Sequence, residues 1–378
     1  MATSPYATDK LAHHPEALDK MRRKEHQNPI VVHFMPMLAC NQRCEFCAYG
    51  HRTPSDGSDQ YGWKNMALMS DEFLPREKAL ELVNDWVVMG VKAVELSGGG
   101  EPLIWHFVDE WLRAMAGTSI ETSLVTNGTA LTKDRADLFA ATRWKWARVS
   151  IDAGNRDDYV ATRRVPGAHW DLAWRAVDRL LGARIGESDQ RVGVGFVVDR
   201  KNWRGVYELC GRAKSAGVDN VRIGMAFTPA GLSRISDEAH HKVSLQVEQA
   251  RAYLEDDTFK VNALFGERCG NLLDRRQDYQ FCGVKEVLCV VGGDQRVYSC
   301  CTLAFNEAGL IGSIRDQSLQ RLWWSPETVA WFDRHDAREA CKVECLYESR
   351  NKRILRMLDD REEEARVRSL PVVHPNYV

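Results

Sequence analysis

PIVVHFMPMLACNQRCEFCAYG, residues 29–50, joins the two readings that decide the fold. Its first ten residues are a largely apolar run with β-branched side chains, which predicts a buried strand. Cys40, Cys44 and Cys47 follow at once in the spacing C-x3-C-x2-C. Three thiolates this close, on a loop at the carboxyl end of a parallel strand, can converge on one metal centre. That end of the sheet is where α/β folds place their sites. Thiolate ligands select zinc or iron–sulfur clusters. Structural zinc wants four ligands, usually as paired C-x2-C knuckles. Three in one loop instead suit a four-iron cluster with one iron left open. Chance clustering, or a zinc site with a remote fourth ligand such as His51, is the bland alternative.

Outward from this stretch, the chain alternates. A polar helix precedes it at about 15–25, and a loop rich in Pro, Gly, Ser and Asp follows over 40–74. Helical spacing of apolar residues then predicts helices over 76–89, 104–115, 133–142, 171–181, 203–216 and 237–254. Between them, short β-rich runs predict strands over 92–96, 121–126, 147–151, 192–198 and 218–223. Strand alternating with helix means parallel β with right-handed crossovers, an α/β fold. Six such units are too few for a closed eight-unit barrel but enough for a partial (β/α)6 barrel.

The last third loses this rhythm. Cysteines crowd in from Cys269, with short strands at 287–291 and 296–299 and a charged helix over 346–366. The expected division is therefore an N-terminal helical extension (1–28), a barrel core (29–260) and a small C-terminal α+β unit (261–378).

Composition narrows the function. The chain has 378 residues, with 51 basic against 53 acidic side chains and a net charge of −2. That balance counts against a nucleic-acid scaffold or a membrane-surface protein. The start has no apolar core of signal-peptide type, and no run of 18 or more apolar residues exists, so a cytoplasmic protein is expected. There thiols stay reduced, and the 11 cysteines are read first as metal or cofactor ligands.

Five motifs in order carry a resemblance. Cys40, Cys44 and Cys47, with Phe46 before the last, resemble the signature of the radical S-adenosylmethionine (SAM) enzymes. Ser97-Gly98-Gly99-Gly100-Glu101-Pro102 resembles that family's Gly-Gly-Glu-Pro segment. Val125-Thr126-Asn127-Gly128 resembles the segment closing the third strand. Ser150 and Asp152 resemble its ribose contacts, and Gly195 its backbone contact to adenine. Arg163 or Arg164 resembles the basic residue that pairs with the SAM carboxylate. The resemblance covers roughly residues 30–225. It implies a [4Fe–4S] cluster on the three cysteines whose open iron chelates SAM. One electron then splits the S–C5′ bond, and the 5′-deoxyadenosyl radical takes a hydrogen atom from substrate. A reductant such as flavodoxin or ferredoxin is implied as a partner.

Downstream, CGVKEVLCVVGGDQRVYSCC, GLIGSIRDQSLQRLWWSP and CKVEC resemble the SPASM/Twitch auxiliary-cluster domain. On that resemblance Cys282, Cys300, Cys341 and Cys345 hold one auxiliary [4Fe–4S] cluster, with a hairpin at Gly292-Gly293-Asp294 bringing the first two together. The shorter Twitch form fits because no Cys follows Cys345. Cys301 could replace Cys300, Cys269 could be an alternative ligand, and either could return a hydrogen atom to a substrate radical. A four-thiolate zinc site is the alternative. Cys210 and Cys289 read as buried small hydrophobes, and Trp111, Trp174 and Trp331 as core. The implied activity is oxidation or epimerisation of a small molecule such as an aminocyclitol or sugar. Peptide modification is the runner-up. Family members that modify peptides often carry an N-terminal leader-recognition domain, and 28 residues precede Pro29, so leader binding would need a separate protein. A zinc-stabilised binding module without radical chemistry is the non-enzymatic alternative.

Overall fold

The computed structural model describes residues 6–44, 46–49, 72–185, 189–226, 235–263, 277–341 and 345–378. Strand β1 (Val31–Met35) forms within the apolar run and is buried except at His33. Six more strands pair parallel to it in chain order: β2 (Ala93–Leu96), β3 (Glu121–Thr126), β4 (Arg143–Ser150), β5 (Arg191–Val198), β6 (Asn220–Met225) and β7 (Lys260–Ala263). Helices return the chain between them: α2 (Arg76–Met89), α3 (Val108–Ala116), α4 (Lys133–Ala140), α5 (Arg156–Arg163) with α6 (Ala168–Gly182), α7 (Val206–Ser215) and α8 (Asp237–Leu254). Helix α1 (Pro15–Arg22) precedes β1, with Pro15 at its first turn, where the missing N–H costs nothing.

The other edge of β1 takes a strand from the C-terminal third. Strand β8 (Leu288–Gly292) runs parallel to β1, with Leu288 opposite Val31. Strands β9 (Arg296–Tyr298) and β10 (Leu310–Ser313) follow antiparallel. The order is β10-β9-β8-β1-β2-β3-β4-β5-β6-β7, an open sheet. The α/β partial barrel is as expected, but it carries two more parallel strands, β7 and β8, than six βα units supply. The expected C-terminal unit is thus continuous with the barrel sheet.

Two apolar cores follow. One fills the space between the sheet and helices α2–α8, with Trp86, Trp111 and Trp144 fully buried in it. Trp174 is buried in the same core, and Trp331 packs against it. The second joins α1, one face of β1 and β8, and the helices Glu348–Asp359 and Arg361–Arg368. Arg22 ties these ends together by donating to Glu364 at 2.6 Å and to the Met357 carbonyl at 2.6 Å.

Two local readings need correction. The single charged helix expected over 346–366 is broken at Asp360. Its carboxylate accepts from the Glu362 and Glu363 N–H groups at 2.9 and 3.1 Å, capping a new helix. Helix α5 was not expected, because RDDYVATR has too few apolar residues to show a stripe. Asn155 starts it by accepting from the Asp158 N–H at 2.9 Å, and Arg164 ends it at φ 53°.

Candidate active site

The cysteine loop leaves β1 at its carboxyl end and is held by its neighbours' backbones. Gly100 N–H donates to the Met37 carbonyl at 3.0 Å, and Glu101 N–H to the Ala39 carbonyl at 3.0 Å. The approach is close enough to require glycine. A Cβ on Gly100 would lie 1.9 Å from the Ala39 carbonyl oxygen.

Glu101 is a brace between strand ends. Its buried carboxylate accepts from Leu103 N–H at 3.1 Å, Thr126 Oγ1 at 2.5 Å and Asn127 N–H at 2.7 Å. Burial raises its pKa, and these three donors oppose the rise. Asn127 is thereby aimed at the loop, donating to Asn41 at 2.8 Å with Cys40 Sγ 4.0 Å away.

A second brace crosses from β4. Asp152, at φ 57°, accepts from Val197 N–H at 2.6 Å and pairs with Arg163. Arg163 donates to the Ile151 carbonyl at 3.2 Å and to Gln42, and it comes within 3.8 Å of Cys44 Sγ. Both side chains are buried, so each charge depends on the other. Tyr159 completes the contact by accepting from Gln42 at 3.0 Å.

These braces surround a cavity of about 400 Å³. Cys40, Cys44 and Cys47 line it together with Phe46. Gly99, Gly100 and Glu101 come from the end of β2, and Asn127 from the end of β3. Ser150 ends β4 and Asp152 follows it, and Arg163 with Arg164 comes from the end of α5. Gly195 is not in the wall. Val197, two residues on, takes that place, while the Gly195 carbonyl accepts from Ile151 and Asp152 N–H at 3.2 and 3.0 Å. Its contribution is to hold Asp152. His51 lies outside the described residues.

The donor chemistry fits an iron–sulfur cluster. Burial pushes the Cys40 thiol up to about 11 and the Cys44 thiol up to about 12. A bound cation reverses that cost by taking the thiolate as ligand. Among the described residues no three His, Cys, Asp or Glu side chains close on a single metal ion. A cluster asks something different, because each thiolate binds its own iron.

Four further thiols come together beyond β8 and β9. Cys300 is pushed well above the usual thiol range by burial first and then by Cys301, Cys341, Cys345 and Cys282. Cys345 in turn is raised by burial and by Cys282 and Cys341. The hairpin turn at 292–295, between β8 and β9, is closed by Gln295 N–H donating to the Gly292 carbonyl at 3.0 Å. Tyr347 N–H donates to Cys345 Sγ at 3.4 Å, the kind of contact that tunes a cluster thiolate. Residues 342–344 and Cys269 lie outside the described residues.

Cys301 faces elsewhere. Its thiol lies 3.0 Å from the Tyr347 hydroxyl, and its carbonyl accepts from Tyr49 at 3.3 Å. Both contacts border a second cavity, of about 290 Å³, inside the barrel. Its walls include His33, Glu95, Arg148 and Arg222 from strand centres, and its floor includes Tyr6, Lys10, Tyr377 and Val378. Tyr49, Ser97, Gly98 and Val125 line both cavities, so the two share a wall. The sequence did carry a signal for this cavity: a single polar residue at the centre of several apolar strands. Cys210 and Cys289 are fully buried, as core cysteines are.

Residues 34–210 match the radical SAM superfamily, and residues 282–346 match the iron–sulfur cluster-binding domain named SPASM. The chain carries a radical SAM domain and a C-terminal SPASM domain. The two together imply a SAM-binding [4Fe–4S] cluster and an auxiliary [4Fe–4S] centre. This radical SAM–SPASM chain is 28% identical over 138 residues to an S-adenosylmethionine-dependent nucleotide dehydratase of Lacinutrix mariniflava, covering 35% of this chain and 25% of that one. A protein of the same description from a Thermoplasmatales archaeon is 25% identical over 169 residues, 43% of this chain and 51% of that one. The chain therefore spans a quarter to a half of the length of these curated relatives. The fold is similar to that of SuiB from Streptococcus suis bound to precursor peptide SuiA, with a TM-score of 0.62 and 13% identity, over 95% of this chain and 80% of that one. Among the described residues no helix is long and apolar enough to cross a membrane.

Proposed function

We propose that this radical SAM–SPASM chain is a cytoplasmic enzyme that acts on a small molecule held in the interior cavity, leading to its oxidation or epimerisation. The observation that carries the reading is the shared wall: Tyr49, Ser97, Gly98 and Val125 border both cavities. A radical formed on one side meets a substrate on the other without crossing solvent. When bound, the cluster and SAM supply a 5′-deoxyadenosyl radical.

The chain's own residues do the rest. Cys40, Cys44 and Cys47 would hold the first cluster, and the Glu101 and Asp152–Arg163 braces fix the strand ends around it. Cys282, Cys300, Cys341 and Cys345 would hold the auxiliary cluster, which suits a second electron transfer. Flavodoxin or ferredoxin would supply the first electron. Tyr6, Lys10, Tyr377 and Val378 also line the cavity, and its volume of about 290 Å³ favours a compact substrate. The partial relatives named for nucleotides support a small molecule as well. The peptide reading rests on a shared fold alone, SuiB with its precursor peptide being one such structure.

Anaerobic reconstitution tests this. The expected result is about eight irons per chain, from two four-iron clusters each on its own thiolate set, and release of 5′-deoxyadenosine on reduction with SAM. Deuterium transfer from a labelled small molecule into 5′-deoxyadenosine identifies the substrate. Tightly bound zinc with no SAM cleavage overturns the enzyme reading. Transfer from a peptide alone overturns the small-molecule reading.

A further inference from the structure

The interior cavity has a charge that the chain as a whole does not. Among the described residues five cationic side chains line it: Lys10, Arg148, Arg191, Arg222 and Arg350. Among those residues Glu95 is its single side-chain carboxylate, and the net charge of the full chain is −2. The imbalance is therefore local, gathered from strands β4, β5 and β6, the N-terminal segment and the helix Glu348–Asp359.

Among the described residues neither Arg148 nor Arg350 makes a salt bridge. Arg148 lies over the Trp146 ring at 5.6 Å, and Arg350 over the Tyr347 ring at 5.2 Å. Both keep some accessible surface, and that surface faces the cavity. Glu95 is 3.8 Å from His33, and its charge also acts on Lys10, Arg148 and Arg350. Part-buried guanidiniums gathered on one cavity raise its positive potential, which a bound anion would lower. Burial and the nearby Arg350 lower the Lys10 pKa to about 7. Guanidinium forks match the geometry of phosphate and carboxylate oxygens.

We infer that the interior cavity binds a small, multiply charged oxyanion, with Arg148 and Arg350 as its anchors and Glu95 as the carboxylate that opposes it. This rests on the reading of the cavity as the substrate site, and it narrows the substrate class. An aminocyclitol would place ammonium groups against five cations, so anionic phosphate esters or polycarboxylates fit better than amines.

The test is calorimetric titration of the reconstituted, SAM-loaded full chain with three probes: inorganic pyrophosphate, citrate and the aminocyclitol streptamine. Pyrophosphate or citrate is expected to bind, more weakly as salt is raised, and streptamine is not. Pyrophosphate separates a phosphoryl substrate from a carboxylate one, for which citrate stands. Arg148→Gln and Arg350→Gln should each weaken binding by about tenfold or more, the usual loss for a charge-assisted hydrogen bond. Glu95→Gln should tighten it, because the cavity gains net positive charge. This opposite sign separates charge from damage, since a misfolded variant loses binding whichever residue is changed. Surface Lys133→Gln should leave affinity unchanged. Binding of streptamine in place of the anions overturns the inference, and so does an anion affinity that Glu95→Gln and both arginine changes leave alone. Formation of 5′-deoxyadenosine in the same preparation tells the two readings apart. If SAM is cleaved but no anion binds, only the inference fails. If SAM is not cleaved, the enzyme reading fails by itself.

Discussion

The Cys301 thiol lies 3.0 Å from the Tyr347 hydroxyl, while the pKa of the adjacent Cys300 is raised by burial and by the charges of Cys301, Cys341, Cys345 and Cys282. Cys301 is thus engaged by a phenol, and Cys300 sits among the thiols proposed for the auxiliary cluster. Cys300→Ala should lose about four irons per chain, because a cluster needs its full thiolate set. Cys301→Ala should keep them. Iron and sulfide assays on anaerobically reconstituted protein decide the point. Equal iron loss in both variants would mean that Cys301 is a ligand.

The Asp152–Arg163 pair should be among the costliest single contacts to break. Both side chains are buried, and Arg163 reaches Gln42 and Cys44 on the cysteine loop. Arg163→Met leaves a buried carboxylate without its partner, a loss of about 3–5 kcal/mol. Burial already raises the Asp152 pKa, and Arg163 opposes that rise. Without the arginine the folded-state pKa climbs further above its unfolded value. Such a group favours the fold when protonated, and that benefit is lost as pH rises through the folded pKa. The variant should therefore lose more stability at pH 7 than at pH 5. Urea denaturation at the two values checks it, and an equal loss at both would contradict the argument.

These two sites show why the fold was more legible than the chemistry's supports. Strand β3 and helix α2 sit where periodicity places them, 121–126 and 76–89. The cysteine loop was legible because its spacing is short and local. Arg163 was singled out, but its partner Gln42 was not, because residues 121 apart meet only through the fold. Strand β7 is four residues long, KVNA, too short to show a pattern. The pairing of β8 with β1 depends on sheet order, which no local pattern encodes. Gly195 acts through its carbonyl, a group that every residue carries.

Gly100→Ala should disable the first site without unfolding the barrel. The added Cβ would meet the Ala39 carbonyl at 1.9 Å, and backbone cannot swing aside as a side-chain tip can. The cysteine loop must move, and SAM cleavage should fall by roughly tenfold or more, since misplacement by about 1 Å costs on that order. Gly182 is the control. A Cβ there meets nothing within 4 Å, at the end of α6. Gly182→Ala should keep full activity and gain roughly 0.4–1 kcal/mol of stability. Product assays and thermal melts measure both. Normal SAM cleavage by Gly100→Ala would show that the loop tolerates displacement.

Lys10 should give the fold a pH dependence in an unusual window. Its folded pKa is lowered from 10.5 to about 7, first by burial and then by Arg350, against Asp9, Glu121 and Glu95. The unfolded lysine binds its proton up to about pH 10, whereas the folded one releases it from about pH 7. Between those values the unfolded state holds more protons, so stability rises with pH. Other groups titrate nearby: burial lowers His374 to about 4 and raises the thiols of the cysteine sites. Comparison with Lys10→Met isolates the lysine. From pH 7 to pH 9 the wild-type chain should gain about 2 kcal/mol relative to Lys10→Met, from about 1.4 kcal/mol per unit of pH. A multiply charged anion in the cavity should shrink that gain by holding the ammonium charged. Parallel pH profiles for the two proteins in urea would show that Lys10 keeps its proton in the fold.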